Sequence, residues 1–402
     1  MFTITGELGT GGPKAKFKAN LAAIQTLKTL QEEGRQATLT EQETLAQYVG
    51  WGGLPQAFEG DGGKVSKGWD KEVAQIKEAM TDEEYAAARR STQDAHYTSV
   101  DIVNSMWDGL RIMGFKGGKV LEPSVGTGNF LGLMPGTMRS KSEITAVELD
   151  PITGGIAAQL YPAANVQYPV GFQDFAMPDG YFDAAIGNPP FGNQKLYDGK
   201  RKNISKFSIH NYFFAKSLEG LKENGVLAMV VSSRLLDSGR SQARDFIAER
   251  AEFLAAIRLP NNAFLKNAGT EVTTDLIFLR KLREGETSID GETWGGVETV
   301  TDAKGIEVPL NEYFVRHPEM MLGEWGAYGS MYGPNEPALV AREGQDTNAL
   351  LAEAIASLPR NIMDSAAAAP VEATYDRATS VENVKVGSMF RDGSDIKMRG
   401  ED

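Results

Sequence analysis

The chain has 402 residues, 41% of them apolar, a formal net charge of -13, no cysteine and only three histidines. That length and apolar content allow one substantial core and a smaller second unit, while disulfides and thiolate metal sites are excluded and the scattered His96, His210 and His317 make no zinc site. Residues 284–402 hold 22 acidic and 9 basic side chains, leaving 32 of each sign in residues 1–283, so the acidity is C-terminal and does not exclude a polyanionic partner for the rest.

The opening MFTITGELG lacks the charged-then-apolar pattern of a secretory signal, and the longest strongly apolar run is 226–231. No membrane span and a cytoplasmic location are therefore expected. Residues 1–94 read as a helical extension. KFKANLAAIQTLKTLQEEG puts Phe17, Leu21, Ile24 and Leu27 at helical spacing and stops at Gly34. TEQE (40–43) and TDEE (81–84) are candidate capping boxes that would satisfy free amides at two further helix starts. Between them YVGWGGLPQAF breaks the pattern at its glycines, with Trp51 as a packing anchor.

From residue 95 the rhythm changes. Short β-like runs, KVL (119–121), EITAV (143–147), ANVQY (164–168), FDAAIG (182–187), GVLAMVV (225–231), FLAAIRL (253–259) and TDLIFLRK (274–281), alternate with helical stretches such as SVDIVNSMWDGLRIM, FFAKSLEGLKEN and SQARDFIAER. Alternation of this kind predicts an α/β fold, a mostly parallel sheet with helices on both faces and ligands beyond the carboxyl ends of its strands. Residues 95–283 would form that domain. The acidic segment 284–402 would follow, linker-like around DSAAAAPVEATYDRATS.

Three strand ends carry chemistry. LEPSVGTGNF closes the first strand with Gly126 and Gly128, which let the backbone turn and approach a nucleoside. AVELD closes the second with Glu148, in place to accept from both hydroxyls of a ribose. GFQDF follows the third, with Asp174 able to accept from an adenine amino group and Phe175 able to cover the ring. Each of these residues alone also reads as a strand-end cap; in this order they predict a site for an adenosine-containing cofactor.

LEPSVGTGNF, AVELD, QDF and GNPPFG in succession resemble the amino-methyltransferases that use S-adenosylmethionine, which implies a Rossmann-like seven-stranded sheet and that sulfonium as cofactor. The resemblance implies that Thr98 (in AHYTS) and Glu122 hold the methionine end, Glu148 the ribose, and Asp174 with Phe175 the adenine. Ser99 departs from the pattern, since many relatives carry proline there. The order, with the threonine element before the glycine loop and the Asn-Pro-Pro element after it, resembles the γ class of DNA adenine-N6 methyltransferases. LAQYVGWGGLPQAF, ARRSTQDAHYTS and AVELDPITGGIAAQLYP resemble the methylase segment of large phage and mobile-element proteins in which a helicase often follows. A helicase domain or protein is accordingly an expected partner.

GNPPFG then has a physical reading. The exocyclic amine of adenine is a poor nucleophile because its lone pair is delocalised into the ring. Two acceptors aimed at its N–H bonds would draw that pair out: the side-chain oxygen of Asn188 and the backbone carbonyl of Pro189, which Pro190 holds by restricting the residue before it. Phe191, where relatives often have tyrosine, offers a stacking face, and Phe264 in LPNNAFLKN resembles the aromatic residue that covers the other face. Duplex DNA with a flipped adenine, or a single strand, would be the substrate. KLYDGKRKNISK (195–206) brings Lys195, Lys200, Arg201, Lys202 and Lys206 against a lone Asp198 and would neutralise phosphates beside that base.

Rival readings share the turn. Methylation of a guanine amine in ribosomal RNA or of a protein glutamine needs the same acceptors, and a non-catalytic DNA-binding or anti-restriction module could retain the fold.

Overall fold

The computed structural model describes residues 2–4, 11–92, 98–239, 242–264, 271–288, 294–328, 336–363, 389–392 and 395–398. The chain divides into two compact units, Met1–Met363 and Asp364–Asp402. Among the described residues of the second, Met389–Asp392 pairs antiparallel with Asp395–Met398. The stretch DSAAAAPVEATYDRATS lies outside the described residues.

The first unit is built on a seven-stranded sheet, β1 (Lys119–Glu122), β2 (Glu143–Val147), β3 (Asn165–Gln167), β4 (Phe182–Gly187), β5 (Leu221–Ser232), β6 (Ala251–Leu259) and β7 (Thr274–Lys281). Spatially it runs β3-β2-β1-β4-β5-β7-β6, and β7 lies antiparallel to both its neighbours. The other pairs, β1 with β2 and β4, β2 with β3, and β4 with β5, are parallel. Strands covered on both faces need apolar residues without alternation, and 226–231 of β5 and 275–280 of β7 are buried throughout. The run GVLAMVV is the later part of a longer strand, because LKEN, expected at the end of a helix, begins β5 and pairs with β4 at Phe182↔Leu221. The preceding helix occupies Ile209–Gly220 instead.

Helix α1 (Pro13–Glu33) buries Phe17, Leu21, Ile24 and Leu27 as their spacing predicts, and Gly34 ends it with the left-handed φ of 62° that favours glycine. Each fully buried Leu or Phe contributes about 1.5–3 kcal/mol. Leu27 seats against α8 (Pro151–Leu160) at Gly155, where an added Cβ would lie 3.1 Å from the leucine methyl, so the small residue lets the extension lie close on the sheet's covering helix. TDEE caps α4 (Asp82–Ser91) as a box between Thr81 and Glu84. TEQE does not cap α2 (Leu39–Leu45): the box is Thr38 with Glu41, two residues earlier, and Thr40 is inside the helix. Arg35 fixes that choice by holding Glu41 through both guanidinium nitrogens, at 2.6 and 2.8 Å.

Trp51 is 1% exposed and packs edge-on against Phe58 and Tyr48. Buried Asn20 of α1 donates to the Gly50 carbonyl (2.6 Å) and accepts from Val49 N (2.9 Å). This holds the break at Gly50, whose φ is 70°, against α1. The described residues of 294–363 include two antiparallel strand pairs, Val297–Thr301 with Glu307–Asn311 and Glu324–Ala327 with Pro337–Val340, and a helix, Thr347–Ala356, that packs on α5 (Val100–Ile112). Among the described residues no helix is long and apolar enough to cross a membrane.

Candidate active site

A cleft of about 750 Å³ opens at the carboxyl ends of β1, β2 and β4, where the strand order reverses beside β1. Thr98, Glu122, Gly126, Glu148, Asn188, Pro189, Pro190 and Phe191 all line it. Thr98 and Phe191, far apart in the chain, are thereby brought to one cavity.

Glu122 ends β1 and is 1% exposed. Its Oε2 finds no hydrogen-bond partner among the described residues, and burial followed by the nearby Glu148 carboxylate pushes its pKa well above the usual range. A buried polar atom left without a partner costs about 1–3 kcal/mol, so the wall of the cleft presents a carboxyl oxygen that a ligand can satisfy. Glu148, just past β2, accepts from Gly126 N (2.8 Å) and Asp150 N (2.9 Å), and burial pushes its pKa up to about 7. Those two amides fix the carboxylate at the cleft while further lone pairs remain to accept hydroxyls. Gly126 turns with φ 54° and Gly128 with φ 87°, and a Cβ on Gly128 would collide with the ring of buried Tyr161.

Asn188 follows β4. Its amide nitrogen donates to Thr98 Oγ1 (3.1 Å), and Ser124 Oγ donates to its carbonyl (3.1 Å). With the nitrogen committed to Thr98, the group this side chain can offer a substrate is its oxygen. The Pro189 carbonyl accepts no hydrogen bond from a described residue. Phe191 is half-buried on the same wall.

Other sequence candidates stand elsewhere. Gly128 shapes the loop without lining the cleft. Asp174 is exposed and accepts from Gln173 Nε2, and Phe175 stacks on Phe172 at 6.5 Å. The cleft wall there is Val170, Gly171, Phe172 and Gln173, because the amides of Asp174 and Phe175 both turn back to the Gly171 carbonyl. Phe264 is 1% exposed inside the core, not on the cleft. Lys195, Lys200 and Lys202 are exposed beyond the rim, whereas Arg201 is held by Asp179 and Glu219 with its side chain 13% exposed. A guanidinium so paired braces its own loop. Missing from the sequence reading are Tyr48, Gly50 and Arg90 of the helical extension and Phe213, which complete the wall. Only the glycine break at YVGWGG hinted at the first two. Among the described residues no group of His, Asp or Glu could hold a metal ion.

Residues 141–264 match the family model described as Eco57I restriction-modification methylase. The Defense against restriction protein B of Escherichia phage P1 is 29% identical over 282 residues, 68% of this chain and 10% of that protein. The type II methyltransferase M.TthHB8I of Thermus thermophilus is 28% identical over 202 residues, 44% of each chain. The chain thus spans less than half the length of either relative. Among solved structures, the type I restriction-modification methyltransferase subunit of Streptococcus thermophilus superposes with a TM-score of 0.40 at 18% identity, covering 66% of each chain. A protein of Listeria monocytogenes described as a class I S-adenosylmethionine-dependent methyltransferase gives 0.38 at 15%, covering 69% of this chain and 91% of that one.

Strand order and cleft define a seven-stranded α/β fold of the class I methyltransferase type. Within that fold, residues 141–264 resemble restriction-modification methylases, and the chain resembles part of a phage protein of defense against restriction.

Proposed function

We propose that the chain transfers a methyl group from S-adenosylmethionine to the N6 amine of adenine in DNA, on a base flipped from the duplex or offered unpaired. The observation that supports this reading is the common cleft, in which the Asn188-Pro189-Pro190-Phe191 turn faces Glu122 and Glu148. Bound there, the cofactor supplies an electrophilic methyl on a sulfonium. Asn188 Oδ1 and the Pro189 carbonyl accept the two N–H bonds of the amine and stabilise the positive charge that develops on nitrogen until one of those protons is lost to water, the sulfur being left as a neutral thioether. Phe191 stacks on the base, worth ~1–3 kcal/mol. Glu122 takes the ammonium of the methionine end, near Thr98, and Glu148 takes the ribose hydroxyls. We assign the chemistry to residues 95–283, with Tyr48 and Arg90 of the extension closing the cofactor side. A helicase domain or protein is the partner this reading invites, since it would offer unpaired adenine. Tritium transfer to DNA, ribosomal RNA and a glutamine peptide, run side by side, tests the substrate: transfer to DNA alone upholds it, and transfer to either other class with DNA inert overturns it.

The titration of Glu148 gives a pH test. Two ribose hydroxyls can donate to both oxygens of the carboxylate, whereas its protonated form keeps one good acceptor oxygen, so cofactor binding favours loss of the proton that a pKa of about 7 leaves in place at lower pH. Affinity should rise with pH up to about 7 and fall by as much as ~10-fold per unit below it. Calorimetric titration between pH 6 and 8 checks the slope. In Glu148→Gln, binding should be weaker by ~1–3 kcal/mol and this part of the slope should vanish.

Sequence preference should be slight. The stretch 129–187 between glycine loop and catalytic turn is occupied by short helices and β2–β4, leaving no inserted reading domain. Residues 284–402, with 22 acids against 9 bases, are poorly suited to phosphate contact or to bidentate pairing with base edges. Long-read sequencing of DNA from cells expressing the chain should reveal N6-methyladenine in many contexts, limited at most by one or two neighbouring bases. Modification confined to a defined motif of four or more bases would contradict this.

A further inference from the structure

The basic loop 194–209 leaves the cleft wall at Gln194 and Leu196 and returns to it at Ile209, whose amide donates to the Gln194 carbonyl at 2.7 Å. It is therefore a closed, compact loop of the Ω kind. Its interior is organised by Asp198, the lone acid among its bases, which is 4% exposed. Oδ1 accepts from Lys200 N (2.9 Å) and Arg201 N (3.1 Å), while Oδ2 accepts from the Tyr212 hydroxyl (2.6 Å) and Lys216 Nζ (3.1 Å). Lys216, itself 1% exposed, also donates to the carbonyls of Phe172 (2.6 Å) and Phe175 (3.1 Å). One buried ammonium thus ties the loop to the cofactor-side wall of the cleft. Arg201, clamped by Asp179 and Glu219, adds a second brace.

What this rigid loop leaves outside is specific. Tyr197 is 77% exposed, next to Leu196, which lines the cleft. Lys195, Lys200 and Lys202 around it are exposed, and none forms an ion pair with a described residue. A phenol ring held out in water contributes nothing to the core, and the polar net beneath it orders the backbone that carries it. A flat ring on a preordered support, ringed by unpaired cations, suits a surface of stacked bases and phosphates.

We propose, resting on the DNA-methylation reading, that Tyr197 enters the base stack in the space vacated by the flipped adenine while Lys195, Lys200 and Lys202 hold the flanking phosphates. The aromatic contact stabilises the opened duplex, and the rigid loop makes it without an ordering cost at binding. Phe191 serves the extruded base; Tyr197 serves the hole it leaves.

The test compares wild type, Tyr197→Ala and Tyr197→Trp on three substrates: a duplex with the target adenine paired, the same duplex with that adenine opposite an abasic site, and the single strand. Tritium transfer is measured on each, with 2-aminopurine fluorescence at the target position reporting extrusion. Tyr197→Ala should slow transfer to paired adenine by roughly tenfold or more, the scale of one lost stack, and lose the fluorescence rise. On the other two substrates, where no partner base must be left behind, it should stay within about threefold of wild type. Tyr197→Trp should retain the paired-duplex rate. Equal slowing on all three substrates, or none on the paired duplex, would overturn the wedge while leaving the methylation reading intact. A wild-type chain inactive on every DNA would instead overturn the reading beneath it.

Discussion

Asn188→Ala should lower methyl transfer by ~100-fold or more while cofactor affinity stays within about twofold, because the lost group is a preorganised acceptor for the reacting amine. The side chain sits at the end of β4 with its nitrogen bonded to Thr98, so its rotamer is set before any substrate arrives. Alanine removes the oxygen and leaves the Pro189 carbonyl alone to oppose two N–H bonds. Water entering the space would accept one of them but would have to reorient as charge develops, which is the cost that preorganisation avoids. Single-turnover transfer beside calorimetric titration of S-adenosylmethionine separates the two quantities. Retention of more than about a tenth of the wild-type rate would remove Asn188 from the reacting centre.

Arg258→Ala should be the most destabilising single change, by ~3–5 kcal/mol, since it strands two buried carboxylates. Arg258, 0% exposed on β6, bonds Asp275 of β7 through Nε (2.7 Å) and Nη2 (2.9 Å), and its Nη1 lies 2.8 Å from Asp237. The guanidinium lies over the rings of Phe314 (4.2 Å) and Trp325 (4.5 Å), which come from residues 294–363. The group therefore joins that segment to the sheet as well as neutralising charge. Burial pushes Asp237 up to about 6 even with the arginine present. An acid whose folded pKa is raised burdens the native state above that pKa and is relieved as pH falls through it, so the deficit of the variant should shrink between pH 7 and 5. Urea unfolding at both pH values measures this. Arg258→Met with Asp275→Leu should recover part of the loss, as apolar replacements of buried ion pairs do. If the single variant unfolds like wild type, the cluster is not what fastens the segment.

Much of this architecture is local in origin and so visible in the chain itself. The unbroken apolar runs of β5 and β7 are short-range patterns, and β2, β4 and β7 begin and end where EITAV, FDAAIG and TDLIFLRK do. The glycine loop and Glu148 are legible for the same reason, since consecutive strand ends in a parallel sheet fall on one edge. The Asn188 turn carries its own rigidity in two prolines.

Where a side chain faces after a strand ends depends on turns and on distant partners, and there the tertiary structure decided. Asp174 and Phe175 stand off the cleft because their amides close a turn on Gly171, and Phe172 and Phe213 form the wall in their stead. Arg201 reads as one more cation in a basic run until Asp179 and Glu219 arrive from a loop and a helix 18 to 22 residues away to occupy it. Asp198 reads as the odd acid of the same run, yet two helix residues, Tyr212 and Lys216, make it the loop's organising centre. Tyr48, Gly50 and Arg90 line the cleft from an extension whose α1 packs on α8. Local propensity sets where elements begin and end; long-range charge pairing and packing, which no short stretch encodes, select which of their residues meet.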